Sequence, residues 1–492
     1  MPELPTLDPD DWEAVDRVFR RAVEVCLAQT RDVRDRPVWL PTPESIKAKL
    51  HEPLPREGRP LDELLARFEE TVLAFGTGNT HPRFWGWVHG SGNVAGVLGE
   101  MLAAFMNCNA GGRDHIATYV ERQVVDWSKE IFGFPMTASG VLTTGTSMAT
   151  LVALAVARDS RADADVQKQG VAAASRLVGY ASAEVHRCVS KAFDLLGLGT
   201  EALRLVPVDG DDRMQIDQLA AMVEADAAQG HWPFVVIASA GTVNTGAIDD
   251  IEGISQFCRE NDLWMHVDAA FGGLAVLTPE FRPQLAAMER AESIAFDFHK
   301  WLHVPYDAGC VLVRNADAHR RAFAARPGYL SGHTEGLAAG EPWYCDFGPE
   351  LSRGFRALKV WFSLLAHGAE RYGELISRNC AQARYLAALV EAHPDLELLA
   401  PVSLNIVCFR FVVPGWANDS LDALNNRIVV ELQTGGIAVT STARIGGKTA
   451  IRVAITNHRT RTDDLDLLVA EVMRLGQAAA RAGERARSGR AA

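Results

Sequence analysis

Apolar residues at Val15, Val18, Phe19, Val23 and Leu27 recur with the i, i+3, i+4 spacing of one helix face near the start of the chain, the stripe of an amphipathic helix over 10–31. A proline-rich connection, 37–60, leads to a second helical stretch, 61–75. These elements are too thin to bury a core alone and are expected to pack on something larger, such as a second subunit. From residue 80 the pattern changes. Short apolar runs at 177–180, 234–239, 263–267, 293–296 and 309–313 alternate with helical stretches. Strands apolar on both faces and separated by helices predict an α/β sheet covered on both sides. Long helices at 351–367 and 371–393 follow. Strand runs at 396–399, 404–411 and 450–454 then alternate with helices at 421–433 and 463–480. The expected organisation is an N-terminal helical arm (1–79), a large α/β domain (80–385), a smaller C-terminal α+β domain (386–480) and a disordered tail (481–492).

Composition narrows the classes. A chain of 492 residues that is 48% hydrophobic and 23% charged is globular. Its most apolar helical run, 151–157, is too short to cross a bilayer and ends at Arg158. Met1-Pro2-Glu3 opens neither a basic leader nor an apolar signal core, so no membrane and no export are expected. The eight cysteines are irregularly spaced with no Cys-x-x-Cys pair, which fits neither a zinc site nor a disulfide framework and reads as a reduced, cytoplasmic protein. A net charge of -13 leaves no basic stripe for nucleic acid. Only eight of the 49 Lys+Arg residues are lysine, so candidates for amine chemistry are few.

Four segments carry chemistry. In Ala295-Phe296-Asp297-Phe298-His299-Lys300-Trp301 a strand ends and a lysine follows at once. A confined amine loses its proton readily and can form an imine, although an isolated strand-end lysine is more often merely solvated. Trp264-Met265-His266-Val267-Asp268 is a buried-looking strand with a carboxylate at its C-terminal end, where open α/β sheets place ligands. Such a carboxylate can keep a cofactor's pyridine nitrogen protonated; its ordinary alternative is a helix cap. Gly145-Thr146-Ser147 opens a helix and offers amides and hydroxyls to a phosphate, or simple capping. His186 stands at a strand-to-helix junction, where an imidazole can lie on a heteroaromatic ring or cap the helix.

Together, in this order, these segments resemble the group II pyridoxal 5'-phosphate (PLP)-dependent amino-acid decarboxylases, the family of the aromatic-L-amino-acid and glutamate decarboxylases. The likeness runs from His81 to Asn457 and includes His81-Pro82-Arg83-Phe84 and Leu351-Ser352-Arg353. It implies a fold-type I PLP-dependent transferase architecture, with a large α/β domain on a mostly parallel seven-stranded sheet plus a smaller C-terminal α+β domain. It also implies a homodimer with shared active sites. By resemblance, Lys300 would hold PLP as a Schiff base and Asp268 would pair with the pyridine nitrogen. His186 would stack on one ring face and Ala270 would support the other. Thr146 and Ser147 would bind the phosphate with His299 nearby, and Thr242 would lie beside the ring and the substrate carboxylate. The implied reaction converts an L-amino acid to its amine and CO₂.

The proton returned to Cα is expected from a tyrosine in the loop-like stretch 328–349, with Tyr344 the first choice and Tyr329 the second. His81, Phe84, Trp85 and Trp87 are candidates for a substrate pocket, possible aromatic lining against an equally plain core turn. Asp297 departs from the pattern, since relatives often carry Asn there; a carboxylate is expected to turn from a phosphate or to contact Lys300. Two alternatives stand beside decarboxylation: a PLP-dependent carbon–carbon lyase or aldehyde-forming oxidative deaminase, and a non-catalytic binding protein on the same fold. The intact Lys300, Asp268 and His186 argue against the last. Gly90-Ser91-Gly92-Asn93-Val94-Ala95-Gly96 mimics a dinucleotide fingerprint, but no clear strand feeds it. His299 and His303 are four apart like zinc ligands but lack the intervening Glu, so no metal is expected.

Overall fold

The computed structural model describes residues 6–324 and 333–488. The large sheet contains β1 (Ser139–Thr143), β2 (Leu177–Ser182), β3 (Leu203–Val206), β4 (Trp232–Ser239), β5 (Trp264–Asp268), β6 (Ser293–Asp297) and β7 (Gly309–Val313). Their spatial order is β1-β7-β6-β5-β4-β2-β3. Only β7 runs antiparallel to its neighbours, so the sheet is mostly parallel with seven strands, as the resemblance implied. Every residue of β1, β2, β5, β6 and β7 is buried, which accounts for their unbroken apolar character. The helix Thr146–Arg161 packs across β4 to β7 and carries the main core with Leu154, Val156 and Phe296.

A second sheet holds β8 (Leu396–Leu398), β9 (Ile406–Phe411), β10 (Ser441–Ile445) and β11 (Lys448–Ala454) in the order β10-β11-β9-β8, antiparallel throughout. It has its own core, built from Phe409, Ile451, Leu468 and Trp85 among others. The helix Arg356–Glu391 packs on both bodies and is interrupted at Gly368, whose φ of 73° only glycine adopts cheaply. It begins five residues later than the helix expected from 351. The last helix, Thr462–Ser488, runs through residues 481–488, where a disordered tail was expected; the Ala- and Arg-rich composition there favours helix.

The N-terminal helix Trp12–Arg31 is capped by Asp11, whose carboxylate accepts the Ala14 N–H at 3.0 Å. None of its residues is buried, and Phe19, Val23 and Leu27 are 43%, 42% and 49% exposed. The helix Val94–Met106 likewise leaves Val97, Leu98 and Phe105 in solvent, with the Phe19 and Phe105 rings 5.6 Å apart. The two helices therefore present one contiguous apolar surface that the single chain does not cover. Among the described residues no helix is long and apolar enough to cross a membrane.

Candidate active site

β5 and β6 pair in parallel with Asp268 opposite Ala295, so both strands deliver their terminal carboxylates to the same edge of the sheet. Asp268 ends β5, is buried, and accepts the Ala270 N–H at 3.1 Å. Burial pushes its carboxyl above the ordinary value, against the pull of Lys300 and His186. Asp297 ends β6, and its Oδ2 lies 2.9 Å from Lys300 Nζ and 3.7 Å from His299 Nε2. Its Oδ1 accepts the Thr146 N–H at 2.7 Å. Burial opposes its ionisation, but the Lys300 and His299 charges and these hydrogen bonds outweigh it, so the carboxyl lies below its ordinary value. Burial also opposes the Lys300 ammonium, yet Asp297 in contact and Asp268 nearby hold the amine above its ordinary value.

These groups open into a cavity of about 500 Å³. Lys300, Asp268, His186 and Thr242 line it. So do Thr146, Ser147, Ala270 and His299. Eight residues named from separate segments of the sequence thus meet in one place. His186 fulfils its ordinary role too: its Nδ1 accepts the Cys188 N–H at 3.2 Å at the start of the helix Arg187–Leu195, which leaves the proton on Nε2. Thr242 is buried, its Oγ1 3.2 Å from Thr245 Oγ1 and accepting the Ala247 N–H at 3.1 Å.

The donor set fits PLP. Thr146 begins its helix at the cavity, and its buried Oγ1 has no hydrogen-bond partner among the described residues. A buried hydroxyl without a partner at a helix start is a ready donor for a phosphate. Asp268 and Lys300 supply the anion and the amine that a pyridine ring with an aldehyde group requires.

The remaining candidates lie elsewhere. Tyr344 is 2% exposed, sits in the main core with its ring under the Arg353 guanidinium (5.4 Å to the ring centroid), and does not line the cavity. Its short helical turn, Tyr344–Phe347, packs against the body of the domain within the single chain. Tyr329 falls outside the described residues. His81 is buried with its Nδ1 accepting the Arg83 N–H at 3.0 Å. Phe84 packs with Val38 and Val439, and the Trp85 indole donates to Thr460 Oγ1 at 3.2 Å within the C-terminal core. The turn at 81–86 thus serves packing, and the cavity wall is built one step later, by Trp87, Val88 and His89.

The cavity wall residues missed from sequence include His89, Phe271 and Tyr306. Tyr306 lies 4.4 Å from the His299 ring and 6.0 Å from His89, centroid to centroid. The available signal was its position six residues after Lys300. Gly90, part of the dinucleotide-like run, has a packing role: a Cβ there would come within 1.9 Å of the His299 carbonyl oxygen. Arg452 of β11 is buried and donates to the carbonyls of Trp87 at 3.0 Å and Asn244 at 3.1 Å, tying the second sheet to the cavity wall.

Comparison with known proteins agrees with this geometry. Residues 43–412 match the pyridoxal-dependent decarboxylase conserved domain. The chain belongs to that family. It is 32% identical over 466 residues to an aromatic-L-amino-acid decarboxylase of Bacillus atrophaeus, covering 93% of this chain and 94% of that protein. It is also 32% identical over 450 residues to a histidine decarboxylase of Drosophila melanogaster, of which it spans 52%, with 88% of this chain aligned. The solved structure of Oryza sativa TDC with PLP and tryptamine superimposes with a TM-score of 0.88 at 25% identity, covering 96% of this chain and 99% of that one. The protein is a PLP-dependent carboxy-lyase that decarboxylates an L-amino acid.

Proposed function

We propose that this decarboxylase acts on aromatic L-amino acids, as a homodimer, in the cytoplasm. The observation that carries the substrate reading is the presence of Trp87, His89, Phe271 and Tyr306 among the residues that line the cavity with Lys300. Flat side chains stack well against such surfaces, whereas an acidic side chain would need a free cation. The name of the Bacillus relative favours the same class. The uncovered apolar faces of Trp12–Arg31 and Val94–Met106 support pairing with a second copy. All eight cysteines are free, which suits a reducing compartment.

PLP, when bound, supplies an electron sink for the bond that breaks as CO₂ leaves. The chain's own residues do the rest. Lys300 would hold the cofactor through its amine, and Thr146 and Ser147 would hold the phosphate. Asp268, fixed by the Ala270 amide, would pair with the ring nitrogen and keep its proton in place. His186, held as the Nε2–H tautomer by Cys188, would stack on one ring face, Ala270 would support the other, and Thr242 would lie beside the ring.

The test is a panel of L-amino acids with separate detection of amine, CO₂, aldehyde and ammonia. Amine and CO₂ from aromatic substrates are expected. Turnover confined to glutamate or other acidic substrates overturns the substrate reading. Aldehyde with ammonia as the main products overturns simple decarboxylation.

A further inference from the structure

We propose that Asp297 is the counter-ion that sets the proton affinity of the Lys300 amine, with its carboxylate held in place by the first amide of the helix Thr146–Arg161. The proposal rests on Lys300 being the amine that carries PLP. Three observations support it. Asp297 is 2% exposed and ends a strand whose residues are all buried, so its carboxylate is largely shielded from bulk water and meets it only through the cavity. One oxygen is 2.9 Å from Lys300 Nζ, and the other accepts the Thr146 N–H at 2.7 Å. Backbone comes close on one side: a Cβ built on Gly309 would lie 2.8 Å from Asp297 Oδ1 and 2.5 Å from Gly145 Cα, room that only glycine leaves for the carboxylate.

An anion fixed in this way stabilises the ammonium over the free amine, and only the free amine bonds to a carbonyl carbon. Other charged groups reach Lys300 as well. Asp268 from β5 and the Tyr306 phenol from the following loop act in the same direction as Asp297. His186, His89 and His299 lie within its field and would oppose its charge if protonated, and Cys188 feels both Lys300 and the two carboxylates. Of the carboxylates among the described residues, only Asp297 makes an ion-pair contact with Nζ. Asp297 is therefore a positioning residue for the reactive amine: it fixes where Nζ lies and at what pH it becomes nucleophilic.

Asp297→Asn separates charge from shape, because the amide oxygen still accepts the Thr146 N–H while the negative charge is gone. In the full-length protein stripped of cofactor, Lys300 acetylation by acetic anhydride is followed against pH by peptide mass spectrometry. The midpoint is expected to fall by about one pH unit in D297N, the low end of the effect of a neighbouring opposite charge. The rate at which added PLP becomes fixed on Lys300, trapped with borohydride, is expected to rise about tenfold below the wild-type midpoint. D297A should show the same shift and, having lost the helix contact as well, a lower thermal midpoint than D297N. Wild-type midpoints and rates in D297N overturn the proposal. If PLP is fixed on a residue other than Lys300 in the wild type, the assignment of the cofactor amine fails as well.

Discussion

Glu121 and Arg353, 232 positions apart, form a buried two-point ion pair at 2.9 and 2.6 Å. The pair grips Leu142 of β1 from both sides: Glu121 accepts its N–H at 3.1 Å, and Arg353 donates to its carbonyl at 2.6 Å. Leu142 lies four residues before Thr146, so this clamp sets the position of the helix start that offers its hydroxyl to the phosphate.

Arg353→Met would leave Glu121, 0% exposed, without its counter-charge. A loss of about 3–5 kcal/mol in unfolding free energy is expected, with partial recovery in the double variant Arg353→Met/Glu121→Met. Urea denaturation of the three proteins checks this; an unchanged midpoint for the single variant would count against the clamp.

Tyr344→Phe removes a hydroxyl buried in the core, away from the cavity. Decarboxylation is expected to stay within about threefold of wild type, since only a group acting in the transition state costs the 10²–10⁴ typical of acid–base catalysis. A loss of that size in steady-state kinetics would return Tyr344 to the chemistry.

Gly90→Ala places a methyl against the carbonyl oxygens of His299 and Lys300, at 1.9 and 2.6 Å before any shift. The lysine turn must move. Destabilisation of about 1–3 kcal/mol is expected, together with weaker PLP retention measured by equilibrium dialysis. Gly92→Ala, with open space around its Cβ position but φ of 68°, should affect stability far more than PLP binding.

Burial holds His81 and His458 at about 4, and His266 and His319 at about 3, against an ordinary value of 6.5. These imidazoles stay neutral in the fold, while the unfolded chain takes up protons as pH drops through 6.5. Stability is therefore fully present above that value and falls on acidification, by about 1.4 kcal/mol per pH unit for each group in the steep range. Asp249, raised to about 6 by burial, works in the opposite direction between 6 and 3.8 and offsets roughly one histidine. The urea midpoint should drop between pH 7 and pH 5; a rise would show that the buried carboxyl dominates.

The strands of the large sheet were legible because their burial on both faces wrote continuous apolar runs, as in Gly309–Val313 and Ser293–Asp297. β3 (Leu203–Val206) escaped because it is four residues long and two of them are not buried, and β10 (Ser441–Ile445) because it is largely polar. Lys300, Asp268, His186 and Thr146 were readable since each sits at a strand end or helix start, where local sequence states both geometry and chemistry. The cavity wall was not. Phe84 and Trp85 look as suited to an aromatic pocket as Trp87 does, and only the contacts with Val439 and Thr460, more than 350 positions away, turn the first two inward. Spacing from Leu351 likewise says nothing about Arg353 lying over the Tyr344 ring.

The Phe19–Phe105 contact joins the arm to a helix that packs against Arg356–Glu391, close beneath the catalytic body. If a second copy covers that surface as proposed, dilution becomes a denaturing condition in its own right. Heat resistance would then rise with protein concentration, and activity at nanomolar enzyme would fall away faster than linearly.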